Sequence, residues 1–245
     1  MTDRIRVLVV DDSPFICRLL SMHLQAEDDL EVVGTALSGE RAIQLVKELR
    51  PNAITLDLDM PDMSGIEVLQ QVMTECPTPV IMITGASRRA AESMSKALEL
   101  GAIDFVLKSV PGLGTSPQIL GKEIVGKVRA ASKIKVIRSL KPRFDKQVQQ
   151  RAEIRRQDRM LDRPERVVDQ AAREGVVVIG ASTGGPLAVR ELLSELQADF
   201  PIALVIVQHM PGTFTGLFAD QLDRYTPISS KRRATAIKLG LEQRW

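Results

Sequence analysis

Two sets of polar residues in this chain have the types and spacing to do chemistry. The first is an acid pair, Asp11-Asp12, a single acid, Asp57, a threonine, Thr84, and a lysine, Lys108, each at or just past the end of a short apolar run. Apolar runs of this length read as strands buried in a sheet, and open α/β sheets bind ligands at the C-terminal edges of their strands. Carboxylates brought together at such an edge repel one another unless a cation sits among them, and a hard ion such as Mg²⁺ is the natural occupant. A metal held there would neutralise the oxygens of an incoming phosphoryl group. Asp57 could then attack phosphorus and carry it as an acyl phosphate. Lys108 would pair with the phosphate, and Thr84 would donate a hydrogen bond to it.

The second set lies far along the chain. Gly180-Ala181-Ser182-Thr183-Gly184-Gly185 fits G-x-S-x-G between a strand and a helix. Small flanking residues let Ser182 stand exposed on a tight turn, and the N–H groups opening the next helix are available to an oxyanion. A glycine turn made only for packing is the plain alternative. A dinucleotide loop fits less well, because serine takes the place of the middle glycine of G-x-G-x-x-G. His209 ends the following apolar run. A lone histidine at a strand end is more often structural than catalytic, but opposite a serine turn it is a candidate general base.

Strand and helix signals alternate along the chain. Ile5–Val10 is a continuous apolar run, followed after the acid pair by Ser13 as N-cap and Pro14 at the first helical position. Leu30–Ala36 is the next strand, and Ser38 caps a helix that ends at Pro51. After the strand ending at Asp57, Ser64 starts a helix; further strands are expected over 79–85 and 103–107, and helices over 88–100 and 118–137. About five such units predict a parallel sheet of flavodoxin-like order 2-1-3-4-5, with its crevice between strands 1 and 3. Asp11-Asp12 and Asp57 end those two strands. From about 140 to 175 charged residues dominate and large apolar ones are sparse, which reads as a solvated linker. A new sheet begins over 176–179, with a second strand over 201–207.

Composition removes several classes. A net charge of +2 in 245 residues is too mild for a nucleic-acid footprint, and 3% aromatics give no stacking surface. No apolar run approaches a membrane span, and the N-terminal run stops at an acid pair, as a strand does and a signal peptide does not. Cys17 and Cys76 lack metal-ligand spacing and read as free thiols of a reducing cytosol.

Residues 1–137 resemble the receiver domain of bacterial two-component response regulators. The resemblance implies that Asp57 is the phosphoacceptor and that Asp11, Asp12 and Asp57 bind Mg²⁺ with the backbone carbonyl of Asp59. It makes Thr84 and Phe105 the switch residues and Lys108 the phosphate contact. The family follows that lysine with a cis proline, whereas Ser109 stands here. A cis non-proline bond costs about 3 kcal/mol, so a trans loop is expected.

Residues 175–245, joined by a linker over 138–174, resemble the first part of the Rossmann-like catalytic domain of chemotaxis protein-glutamate methylesterases. By that resemblance Ser182 is the nucleophile and His209 the base. The substrates would be glutamyl methyl esters, and also glutamines, on the cytoplasmic helices of chemoreceptors. A histidine kinase would supply phosphate, no cofactor would serve the esterase, and the protein would be cytoplasmic, with neither nucleic acid nor membrane insertion. The family's triad aspartate, in a Gly-Asn-Asp-Gly-like turn, has no counterpart after His209, and the resemblance fades near residue 229 as if truncated or frameshifted. Impaired hydrolysis is therefore expected, and a non-catalytic receiver that takes phosphate is the alternative.

The charged stretch offers little to bury, so it is expected to be open to proteases. Limited trypsin digestion should cut between Arg151 and Arg166 and leave a stable fragment near residues 1–140. Uniform resistance across that stretch would count against a two-part chain.

Overall fold

The structure is a computed structural model that describes residues 4–85, 87–108, 117–134, 175–197, 200–228 and 230. The linker expected over 138–174, the bond between Lys108 and Ser109, and the tail past 230 lie outside the described residues.

The larger unit alternates strand and helix: β1 (Ile5–Val10), α1 (Pro14–Gln25), β2 (Leu30–Ala36), α2 (Gly39–Leu49), β3 (Ala53–Asp57), α3 (Gly65–Glu75), β4 (Val80–Thr84), α4 (Arg88–Glu99), β5 (Asp104–Leu107) and α5 (Pro117–Ala131). The strands are parallel in the order β2-β1-β3-β4-β5, the flavodoxin-like order expected. Side chains alternate across a strand, so each strand feeds two apolar layers. Leu8, Val10, Ile54, Leu56 and Met82 face the layer under α2, α3 and α4. Val7, Val9, Ile81 and Ile83 face the layer that α1 and α5 close with Leu20, Leu24, Ile124 and Val128. Burial on both faces explains why β3, β4 and β5 read as unbroken runs rather than alternating ones.

Serines fix where four of the helices begin. Ser13, Ser38 and Ser87 each accept a hydrogen bond from a first-turn N–H, and Ser64 forms a reciprocal capping box with Glu67. Each cap is worth about 1 kcal/mol and sets where the preceding strand must let go of the sheet. At the C-terminus of α2, Arg50 takes the left-handed conformation (φ 48°) that turns the chain toward β3.

The smaller unit is β6 (Val176–Ala181), α6 (Gly185–Glu195), β7 (Ala203–Gln208) and α7 (Gly212–Tyr225), with β6 and β7 parallel. Its core is Val189, Leu193, Phe218 and Leu222, with Ile179, Leu204 and Ile206 packed beside them. That covers part of the sheet: Val176, Val178 and Val207 remain 58%, 56% and 59% exposed, in line with the exposure expected for so small a parallel sheet. Helix α7 also packs on the larger unit. Phe214 stacks on Phe105 with ring centroids 4.5 Å apart, and Met210 and Leu217 join the α2–α4 layer.

Gly65 shows how tightly α3 seats the end of β3. A Cβ at this position would lie 2.1 Å from the Asp57 carbonyl oxygen and 2.9 Å from Leu58 Cα, both backbone atoms that cannot swing aside. Gly65→Ala is expected to cost about 1–3 kcal/mol, the usual penalty for overpacking, in urea denaturation of the chain. Unchanged stability would show that the β3–α3 junction yields more readily than this packing implies.

Candidate functional site

Parallel register brings the first set together. Val10 pairs with Leu56, so the next residues, Asp11 and Asp57, leave β1 and β3 side by side. The strand order changes direction here, β1 being followed by β2 on one side and flanked by β3 on the other, and that leaves an open crevice. Asp11 and Asp57 are buried, at 0% and 2% exposed, whereas Asp12 is exposed. The three carboxylates can place one oxygen each within 4.8 Å of the others. Asp59 lies exposed past β3, and its N–H donates to the Asp57 carboxylate.

Lys108 closes the crevice from the end of β5. Its Nζ lies 2.9 Å from Asp11 Oδ2 and 3.0 Å from Asp57 Oδ1. Its N–H donates to the Thr84 carbonyl at 2.7 Å, which aligns the ends of β4 and β5. Burial works against the ammonium, but hydrogen bonds to Asp11 and Asp57 outweigh it and raise its pKa above the usual lysine value. Burial also dominates at Asp57, pushing the carboxyl up to about 6 against the pull of Lys108. Asp57 Oδ2 and Thr84 Oγ1 are both buried with no hydrogen-bond partner among the described residues. Unsatisfied acceptors beside clustered carboxylates fit a hard cation, and an unsatisfied hydroxyl beside them fits an anion brought in with it.

Phe105 is buried on β5, and its ring faces α7 rather than the crevice. Sequence reasoning missed what holds it. Lys127 on α5 is buried, with Nζ 3.1 Å from Asp104 Oδ1, 2.6 Å from the Phe105 carbonyl and 5.5 Å from the Phe105 ring centroid. Burial raises the Asp104 carboxyl pKa even with Lys127 beside it. An acid inside an apolar strand run was the one available signal, since a buried carboxylate needs a partner.

The second set is assembled by the same register. Ala181 pairs with Gln208 across β6 and β7, and the His209 N–H donates to the Ala181 carbonyl at 2.8 Å. The next residues along, Ser182 and His209, thus meet, with Ser182 Oγ 3.4 Å from His209 Nδ1. Gly184 takes a left-handed conformation (φ 74°) that turns the chain into α6. A hydroxyl beside an imidazole at the mouth of a strand–turn–helix can be deprotonated for attack on a carbonyl. Among the described residues no carboxylate is ion-paired with His209.

The Asp57 carboxyl has a consequence for stability. Its folded pKa, about 6, lies above the ordinary value of 3.8, so the folded chain holds that proton more tightly than the unfolded one. Stability is therefore lost as pH rises through the interval from 4 to 6. Asp57→Asn, which carries no charge to bury, is expected to be about 1–3 kcal/mol more stable than the parent at pH 7 without divalent ions. The gain should vanish near pH 4, as read by urea denaturation at the two pH values. A gain equal at both would rule out the carboxylate as its source.

Comparison with known proteins covers both sets. The response regulator receiver domain model matches residues 7–112, and the CheB methylesterase model matches residues 177–239, past the point near 229 where the resemblance was expected to fade. A protein-glutamate methylesterase/protein-glutamine glutaminase of Caldanaerobacter subterraneus subsp. tengcongensis is 43% identical over 232 residues, which cover 94% of this chain and 62% of the relative. One of the same description from Methanococcus maripaludis is 35% identical over 229 residues, 93% of this chain and 62% of the relative. Among solved structures, the response regulator domain of Thermotoga maritima CheB is 37% identical and aligns with 54% of this chain and 98% of that one, at a TM-score of 0.49. The chain spans about 62% of the length of these two curated relatives. The chain thus carries a response regulator receiver domain followed by part of a CheB methylesterase domain, and it is similar over nearly its whole length to proteins described as protein-glutamate methylesterase/protein-glutamine glutaminase.

Proposed function

We propose that this chain is a phosphorylation-controlled carboxylic ester hydrolase acting on glutamyl methyl esters of chemoreceptor cytoplasmic helices, with amide hydrolysis of receptor glutamines as a second activity. The observation that carries the reading is the approach of Ser182 Oγ to His209 Nδ1 at 3.4 Å, in a chain that also holds the Asp57 crevice.

In the crevice, Asp57 is the phosphoacceptor, and a histidine kinase is the donor. Asp11, Asp12 and Asp57, with the Asp59 carbonyl, would hold Mg²⁺, which when bound neutralises phosphoryl oxygens. Lys108, already within ion-pair distance of Asp57, is placed to follow its charge onto the phosphate. Thr84 offers a hydroxyl that has no hydrogen-bond partner among the described residues. Phe105, the other candidate switch residue, carries the stack with Phe214.

At the second site, Ser182 gives its proton to His209 as Oγ attacks the ester carbonyl. The nitrogen facing the serine must be the unprotonated one, so the ring carries its proton on Nε2. The Gly185 N–H is committed to the Ser182 carbonyl at 2.8 Å, which leaves Thr183 and Gly184 as the turn's donors to an oxyanion. Methanol leaves with the histidine proton, and water then releases the glutamate. A phosphate-accepting module without hydrolase activity is the second reading, and it gives no reason for the serine and histidine to meet.

The test is methanol release from methylated receptor by the 245-residue chain, with Mg²⁺ and acetyl phosphate added or omitted. The expected result is turnover slower than that of the longer relatives, abolished by Ser182→Ala, with a response to acetyl phosphate that Asp57→Asn removes. Methanol release that survives Ser182→Ala would overturn the esterase reading. A phosphate response that survives Asp57→Asn would overturn the control reading.

A further inference from the structure

Gln208 ends β7 one residue before His209. Its Nε2 donates to the Ser182 carbonyl at 2.9 Å and to the His209 carbonyl at 3.3 Å. Both acceptors are carbonyl oxygens, so the amide is oriented without ambiguity: turned over, Oε1 would face two oxygens at hydrogen-bond range. The Ser182 carbonyl also accepts the Gly185 N–H. Both of its lone pairs are thus filled, and the peptide plane that carries the Ser182 side chain is clamped from two sides.

Two further observations argue that the carboxamide is present for its donors rather than its volume. Its Oε1 is buried with no hydrogen-bond partner among the described residues, which costs about 1–3 kcal/mol in desolvation that an apolar side chain of equal length would avoid. Residue 185 leaves room for this placement by having no side chain, since a Cβ there would displace the Gln208 carboxamide.

We infer that Gln208 is a positioning residue of the Ser182 site, whose carboxamide ties the serine turn to the histidine strand and holds Ser182 Oγ within reach of His209. It acts through Ser182 and does not touch substrate. The inference rests on the reading of Ser182 as the nucleophile.

The experiment measures the rate at which a serine-directed fluorophosphonate labels the 245-residue chain across a range of pH, in the parent, Ser182→Ala, Gln208→Met and Gln208→Glu. Labelling should be lost in Ser182→Ala. Gln208→Met keeps the length and loses both donors, and its labelling rate should fall at least about 10-fold, because small misplacements of a reacting group are costly. Gln208→Glu separates clamping from packing. As a carboxylate it cannot donate to the Ser182 carbonyl, but as a carboxylic acid it can. Its rate relative to the parent should therefore rise as pH falls toward the carboxylate range of about 4.3. The Gln208→Met ratio should stay flat over the same pH range.

Parent-like labelling of Gln208→Met, or a Gln208→Glu ratio independent of pH, overturns the Gln208 inference and leaves the nucleophile reading intact. A parent chain that takes no label, or a label that survives Ser182→Ala, overturns both.

Discussion

The arrangement depends on one electrostatic balance, a lysine ammonium set between two buried carboxylates. Asp11 and Asp57 are nearly inaccessible to water and adjacent, and Lys108 stands within 3.0 Å of both. Two carboxylates this close repel, and the ammonium between them offsets that repulsion. Even with Lys108 the balance is incomplete, since burial still holds the Asp57 carboxyl at about 6. A buried group left partly uncompensated is a group that gains from binding something. That explains why the sheet tolerates a charge at the end of β3, where every other residue of the strand except Thr55 is apolar.

The same geometric rule builds both sites. Neighbouring parallel strands end at the same edge, so residues just past paired positions become neighbours in space although the sequence separates them widely. Val10 with Leu56 sets up Asp11 beside Asp57, and Ala181 with Gln208 sets up Ser182 beside His209. Each site then adds one side chain that bridges the two strand ends: Lys108 by charge, Gln208 by hydrogen bonds.

This rule is why so much was legible beforehand. Unbroken apolar runs, serine caps and a polar residue at each run's end specify a parallel order and which ends meet, so the crevice and the serine turn could be placed from Asp11, Asp57, Ser182 and His209. Contacts that obey no local period were hidden. Lys127 sits on a helix that otherwise reads as amphipathic, and its burial follows from Asp104, more than twenty residues earlier. Phe214 carries no sign in the sequence that it will meet Phe105, because that contact joins elements more than a hundred residues apart and follows no local period. Boundaries moved for local reasons too. The strand expected from Pro201 begins at Ala203, since a proline nitrogen cannot join the ladder.

The Phe105–Phe214 stack makes the two units mechanically geared. Phe214 lies in the first turn of α7, which starts at Gly212, three residues after His209. On the other side, Phe105 is three residues before Lys108, on the strand whose end closes the acid crevice. The rings are a shared bearing between short, stiff arms, one ending at an ammonium and the other at an imidazole. Aromatic faces in contact resist tilting and separation more than sliding in their own plane. Sliding is therefore the soft coordinate of this joint and absorbs a sideways step of β5, whereas a step of β5 toward α7 would be passed through the rings to the helix that follows His209.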